Sequence, residues 1–151
     1  MTAAGGSGPV VFAYDGSDLA KHAIDEAGRL LEAGGEALVV TVWQPFDVGF
    51  LPDPGLQFDA AQIADVRTAA AQTAAEGAAL AEAAGLRAQS AEIEHSPTWK
   101  GIAELADSHD ARLIVLGSHG RSGLTGAFVG SVAGAVGAHS RRSVLIVHRG
   151  S

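Results

Sequence analysis

The sequence predicts an α/β fold built on a parallel sheet, and three observations carry that prediction. Short apolar runs recur along the chain. Most are continuous rather than alternating, as strands buried on both faces require. Segments of helical period separate them, so the order reads β-α-β-α-β-α-β-α-β, which implies a sheet covered by helices on both sides. Right-handed crossovers then leave few arrangements. The 151 residues suit a single domain, long enough to bury about 70% of the unfolded surface.

The elements follow in order. Residues 1–8 read as a disordered tail, with neither the basic start nor the apolar centre of a signal peptide. Pro9 to Tyr14 is the first buried strand, ended by Asp15-Gly16-Ser17, where either Ser17 or Asp18 can cap the next helix. Ala20, Ile24, Ala27 and Leu31 then mark one helical face, and Gly34-Gly35 stops it. Ala37 to Trp43 is a second buried strand. Pro45 to Phe58 holds three prolines and three of the five phenylalanines. It is either a lid or a loop whose aromatics tuck onto the core. Asp59 to Ala84 is an alanine-rich helix with Ile63, Val66 and Leu80 on its buried side. Gly77 is expected to weaken it by about 1 kcal/mol. Leu86 to Ile93 reads as an edge strand. Ser96-Pro97 reads as a cap and first-turn proline, followed by an apolar face of Trp99, Ile102, Leu105 and Ala106. The strand at Leu113 to Leu116, a small-residue helix from about Ser131 to His139, and a buried strand from Ser143 to His148 complete the chain.

The chemistry concentrates between Arg112 and Val132. A buried strand leads into Gly117, Gly120, Gly123, Gly126 and Gly130, and Ser131 opens a helix. Glycines let backbone approach a ligand closely, and the free amides of a helix's first turn point at an anion. Each helix-dipole contact contributes about 0.3–1 kcal/mol, so several must converge to hold a nucleotide. In parallel sheets ligands sit at the carboxyl ends of strands where the order reverses. If the first and fourth strands are neighbours, Asp15 and the glycine loop face one cleft. Net charge is −7 with scattered Lys and Arg, which argues against a nucleic-acid or acidic-lipid surface. No apolar run approaches the roughly 18 residues of a membrane span. Cysteine is absent, which excludes thiolate chemistry and fits a cytoplasmic protein. The six histidines form no i, i+3 or i, i+4 pair that would suggest a metal site.

The loop matches neither G-x-x-x-x-G-K-[ST] nor, after the first strand, G-x-G-x-x-G. It has Gly117-x-x-Gly120, nine residues, then Gly130-Ser131. With Asp15-Gly16-Ser17 and the stretch Asp110 to Leu124, this pattern resembles the universal stress protein family, in its ATP-binding branch, over about residues 9–148. The resemblance implies a doubly wound five-stranded parallel sheet of order 3-2-1-4-5, and a homodimer formed through the last strand. It implies ATP as the ligand, with Mg2+ or Mn2+ bridging the phosphates. Carried over by position, Asp15 would hold the ribose or help coordinate that metal, and Ala13 and Tyr14 would line the adenosine. Val42 would meet adenine through its backbone. Leu116, Gly117, His119 and Gly120 would wrap ribose and phosphates, and Gly130, Ser131 and Val132 would hold the β and γ phosphates. The family often has proline where this chain has Ser143.

Plainer readings stand beside these. Asp15 or Ser131 can serve as helix caps, the glycines can serve helix–sheet packing, and His119 and Arg121 can be solvated loop residues. Arg141 and Arg142 read as structural, near a helix C-terminus. No nucleophile elbow G-x-S-x-G occurs and no second acid partners Asp15, so the sequence reads as a nucleotide sensor rather than a fast enzyme. The alternatives are a slow ATP hydrolase or adenylyl-transferring enzyme on the same fold, and an interaction module that binds no nucleotide.

Overall fold

Five strands lie parallel in one sheet ordered β3-β2-β1-β4-β5 in the computed structural model, which describes residues 7–45, 60–119 and 129–149. The strands are β1 (Val10–Ala13), β2 (Glu36–Trp43), β3 (Arg87–Glu94), β4 (Leu113–Gly117) and β5 (Val144–Val147). The helices are α1 (Asp18–Leu30), α2 (Ala60–Ala83), α3 (Thr98–Ser108) and α4 (Ser131–His139). The nine elements and their order are those expected. The proline-rich loop, from residue 46 onward, lies outside the described residues.

Strand side chains alternate between faces, and two core layers result. Val10, Phe12, Val39 and Val115 pack with Ala20, Ala23, Ile24 and Ala27 of α1 and Ala81 of α2. Val11, Leu38, Val40, Ile114 and Leu116 pack on the opposite face with Ile102 and Ala106 of α3 and Ala133 and Val136 of α4. The expected faces of α1 and α3 are thus the buried ones. The central strands are buried on both sides, but the outer two are not. In β5 only Val147 is fully buried, so the last strand is a half-covered edge rather than the buried strand expected.

Several local expectations are corrected. Ser96 does not cap α3: Pro97 holds the N-cap position with no side-chain cap, and its carbonyl accepts from Lys100 and Gly101 N–H. α1 ends at Leu30 with Leu31 as C-cap, before the glycine pair; Gly34, at φ +83°, makes the following turn and donates to the Gly85 carbonyl. On α2 the fully buried residues are Val66, Ala70, Ala74, Gly77 and Ala81, while Ile63 and Leu80 are only partly covered. Gly77 is a contact point and not a weak spot. A Cβ there would lie 2.7 Å from both Tyr14 Cδ2 and Val39 Cγ1, so only glycine lets the helix approach the sheet this closely.

Arg142 ties the end of the sheet farthest from the strand C-termini. It donates to Asp107 Oδ1 (2.8 Å), Asp110 Oδ1 (2.9 Å) and the Ala111 carbonyl (3.2 Å). Arg142 is thus structural, as expected, through its contacts with α3 and the turn after it. Asp110 also accepts from the Ser7 amide and hydroxyl. The Ser7 amide first, and Arg142 with it, hold the Asp110 carboxyl below its ordinary pKa.

Two outcomes follow from these contacts. Gly77→Ala gains about 1 kcal/mol of helix propensity but forces an overpacked contact that costs about 1–3 kcal/mol. Chemical denaturation should therefore show net destabilisation. A depressed carboxylate stabilises the fold above its unfolded pKa and loses that contribution as pH falls through the folded value. Asp110→Asn should lower Tm at neutral pH, and the difference from the parent should fade as pH drops below the ordinary carboxylate range.

Candidate functional site

The chain leaves β1 toward α1 and β2 on one side, and leaves β4 toward α4 and β5 on the other. Since β1 and β4 are paired neighbours, their carboxyl ends bound the crevice where strand order reverses. The ladder sets Phe12 level with Val115. The condition placed on the sequence reading, that the first and fourth strands adjoin, is met.

On the β1 side, Asp15 Oδ1 accepts from Ser17 N–H at 3.0 Å. Ser17 in turn caps α1, its hydroxyl accepting from Ala20 N–H at 3.2 Å. The carboxylate therefore shapes the turn that starts α1, with Ser17 rather than Asp18 as the cap. Asp15 is half-buried. Tyr14 and Ala13 point to opposite faces. Ala13 packs in the α3–α4 layer, while the Tyr14 ring is buried against Gly77 in the α1–α2 layer. The backbone of Tyr14 is bonded to β2, its N–H donating to the Val40 carbonyl and its carbonyl accepting from the Thr41 hydroxyl. The Tyr14 hydroxyl is buried, near the Glu76 carboxylate, and makes no hydrogen bond of ordinary geometry among the described residues. Burial, then the nearby Glu76 carboxylate, then Asp15, push this phenol well above its usual pKa, so it stays neutral.

On the β4 side, Leu116 is buried in the α3–α4 layer. Gly117 ends the strand against α1, where a Cβ would lie 2.9 Å from Leu19 Cγ. Ser118 N–H donates to the Val147 carbonyl at 2.9 Å, and the Ser118 carbonyl accepts from Gly130 N–H at 2.6 Å. That bond pins the start of α4 to the end of β4. A Cβ on Gly130 would lie 2.9 Å from the Ser118 oxygen and 3.7 Å from His119 Cδ2, so the imidazole lies beside the helix start. His119 Nδ1 is 3.1 Å from the Ser118 hydroxyl, and Nε2 is buried with no partner among the described residues.

Gly130, not Ser131, is the N-cap of α4, and it offers no side chain to cap with. The first intrahelical bond runs from Gly134 N–H to the Gly130 carbonyl at 2.8 Å. The amides of Ser131, Val132 and Ala133 therefore lack intrahelical acceptors. Ser131 is exposed, so its hydroxyl is presented with them. This is a set of donors that suits an anion. Gly120 lies outside the described residues, as does Arg121.

Val42 bounds the crevice beyond β1. It is half-buried, beside Ile93, two residues past the last β1–β2 rung at Ala13 and Val40. The sequence reading passed over Thr41, which is fully buried; its hydroxyl donates to the Tyr14 carbonyl at 2.8 Å. A polar residue inside the apolar run Ala37–Trp43 was the available signal. Farther out, the Trp43 indole N–H donates to Glu92, and Arg67 lies 5.6 Å over the Trp43 ring. Gln44 Nε2 donates to the His95 carbonyl (2.6 Å) and the Thr98 hydroxyl (2.9 Å), which closes this end of the sheet.

The sequence pattern of the universal stress protein family matches residues 7–148. This chain belongs to the universal stress protein family. It is 34% identical over 154 residues to the universal stress protein Mb2028c of Mycobacterium bovis, covering 95% of this chain and 46% of that one. The chain thus spans about half the length of the curated relatives it matches. Among solved structures it is similar in fold to protein MJ0577, with a TM-score of 0.77 at 19% identity, covering 95% of this chain and 96% of that one. It is also similar to a universal stress protein in complex with cAMP, with a TM-score of 0.63 at 28% identity, covering 95% and 98%.

In this stress protein Gly117 lets the end of β4 pack closely against Leu19 of α1. Gly117→Ala should lose about 1–3 kcal/mol of stability through the clash with Leu19. In a double-mutant cycle read by denaturation, Leu19→Ala should cost less in the Gly117→Ala background than in the parent.

Proposed function

We propose that this stress protein binds ATP at the carboxyl ends of β1 and β4 and acts as a nucleotide-dependent regulator. The observation that carries the reading is the uncapped start of α4, pinned to Ser118 and flanked by the His119 imidazole. The amides of Ser131, Val132 and Ala133 and the Ser131 hydroxyl would hold the terminal phosphates. His119 would meet a phosphate oxygen through Nε2. The Asp15 carboxylate, which also shapes the turn into α1, would take the ribose hydroxyls or a metal. Val42 would meet adenine through its backbone. The related structure with bound cAMP, at 28% identity, supports an adenine nucleotide as the ligand class.

The residues present fit such a ligand, because the donors are backbone groups at the start of α4, held in place by the Gly130 N–H bond to the Ser118 carbonyl. Mg2+ or Mn2+ would be held mainly by the phosphates with Asp15. Among the described residues no group of three or more His, Asp or Glu is placed to hold a metal alone. The half-covered β5 edge, with Val144, Leu145 and Ile146 partly exposed, suits pairing with a second copy. The absence of cysteine suits a cytoplasmic setting. Among the described residues no helix is long and apolar enough to cross a membrane.

Ser131→Pro tests the phosphate assignment without disturbing the fold. Proline is accepted at the first helical position, and Gly130 at φ −63° and ψ 165° suits the residue before it. The substitution deletes one amide and the hydroxyl together. Calorimetric titration with ATP and magnesium should show about tenfold or greater weakening, with Tm nearly unchanged. Ser131→Ala should weaken binding less. ATP binding by Ser131→Pro as tight as that of the parent would overturn the assignment.

A further inference from the structure

We propose that Thr41 is a specificity-determining positioning residue, whose buried hydroxyl keeps the Val42 backbone out of the sheet so that it can read the edge of the base. The proposal rests on the adenine-nucleotide reading above and adds to it the residue that prepares the base contact.

The direction of each backbone group in β2 follows from its neighbours' bonds. Arg87 N–H donates to the Gly35 carbonyl at 2.9 Å and His95 N–H to the Trp43 carbonyl at 3.1 Å. Odd-numbered residues of β2 thus turn their polar groups toward β3. Tyr14 N–H donates to the Val40 carbonyl at 2.9 Å, so even-numbered residues turn theirs toward β1. The evenly spaced pattern of a parallel pair makes the next bond run from Val42 N–H to the Tyr14 carbonyl. That rung is not made among the described residues. The Tyr14 carbonyl takes the Thr41 hydroxyl instead, at 2.8 Å.

The consequence is local and chemical. Val42 turns one donor and one acceptor toward the crevice, just past the point where β1 bends away at Asp15. Adenine offers a complementary pair on its Watson–Crick edge, an acceptor at N1 and an amino donor at N6. Guanine offers the reverse, a donor at N1 and an acceptor at O6. A free backbone N–H and C=O in this order therefore accept adenine and leave guanine unmatched. Thr41 is fully buried, so its hydroxyl has no solvent to turn to, and the Tyr14 carbonyl is the acceptor it finds. Tyr14 cannot drift to restore the rung, because its ring is seated in the notch at Gly77.

The test uses the full chain with Thr41→Val, which keeps the shape and removes the hydroxyl, and Thr41→Ser, which restores it. Hydrogen exchange of the Val42 amide is followed without nucleotide, and ATP and GTP affinities are then measured. The amide should exchange fast in the parent and in Thr41→Ser, and should become protected in Thr41→Val as the rung forms. Thr41→Val should bind ATP about tenfold more weakly while its GTP affinity stays at the parent value. A merely structural role for Thr41 would weaken both nucleotides together, and that result overturns the proposal. So does unchanged exchange at Val42 in Thr41→Val. A parent that binds neither nucleotide refutes the functional reading itself, and the exchange measurement still decides whether Thr41 withholds the rung.

Discussion

β1 and β4 run side by side in parallel, with Val10 level with Leu113 and Phe12 level with Val115. Every feature of the candidate site depends on that pairing. Two parallel neighbours whose onward connections go to opposite sides cannot have their exits filled by a single helix. The space beyond their carboxyl ends stays open, and both loops that leave them border it. Asp15 lies in one loop and Ser118 and His119 in the other. α1 and α4 start at this edge and cover opposite faces of the sheet. A different neighbour for β1 would place the acid and the helix amides on separate parts of the molecule.

The edge of the crevice is held in place by contacts that leave no room for a Cβ. Gly77 lets α2 press on Tyr14, Gly117 lets α1 press on the end of β4, and Gly130 lets α4 close on the Ser118 carbonyl. Fold stability and site geometry thus share the same atoms. This explains why the glycine pattern has both a packing reading and a ligand reading, and why the two do not compete. It also makes the exposed Ser131 the cleaner probe of binding.

The polar groups of the site divide in a similar way. Those presented at the start of α4 are backbone amides and the Ser131 hydroxyl. The side chains around them are mostly engaged in fixing that backbone. Asp15 shapes the turn into α1, Ser17 caps it, and Thr41 holds the Tyr14 carbonyl. Donors fixed in advance need little ordering when a ligand arrives, which favours binding over a site assembled from mobile side chains.

Much of this was legible before the fold was known. Strand runs, helical faces and the glycine-rich exit from the fourth strand are local patterns, set by burial and by short-range backbone preferences. The strand order came from resemblance to the family, because pairing between strands far apart in sequence leaves no local mark. Misreadings had the same origin. Ser96 looked like a cap from its residue type, and Ser131 did so on the plainer reading, yet Pro97 and Gly130 hold those positions, because cap position depends on where the chain bends. Gly77 looked like a weak point because helix propensity was the only term visible without Tyr14 and Val39 in view. Thr41 passed unnoticed because its hydrogen bond spans 27 residues of sequence. The amino-acid order by itself determined which segments become strands and helices and where anion-binding backbone could form. Tertiary structure alone decided which groups face one another across the crevice, since that depends on contacts between residues that only the folded sheet brings together.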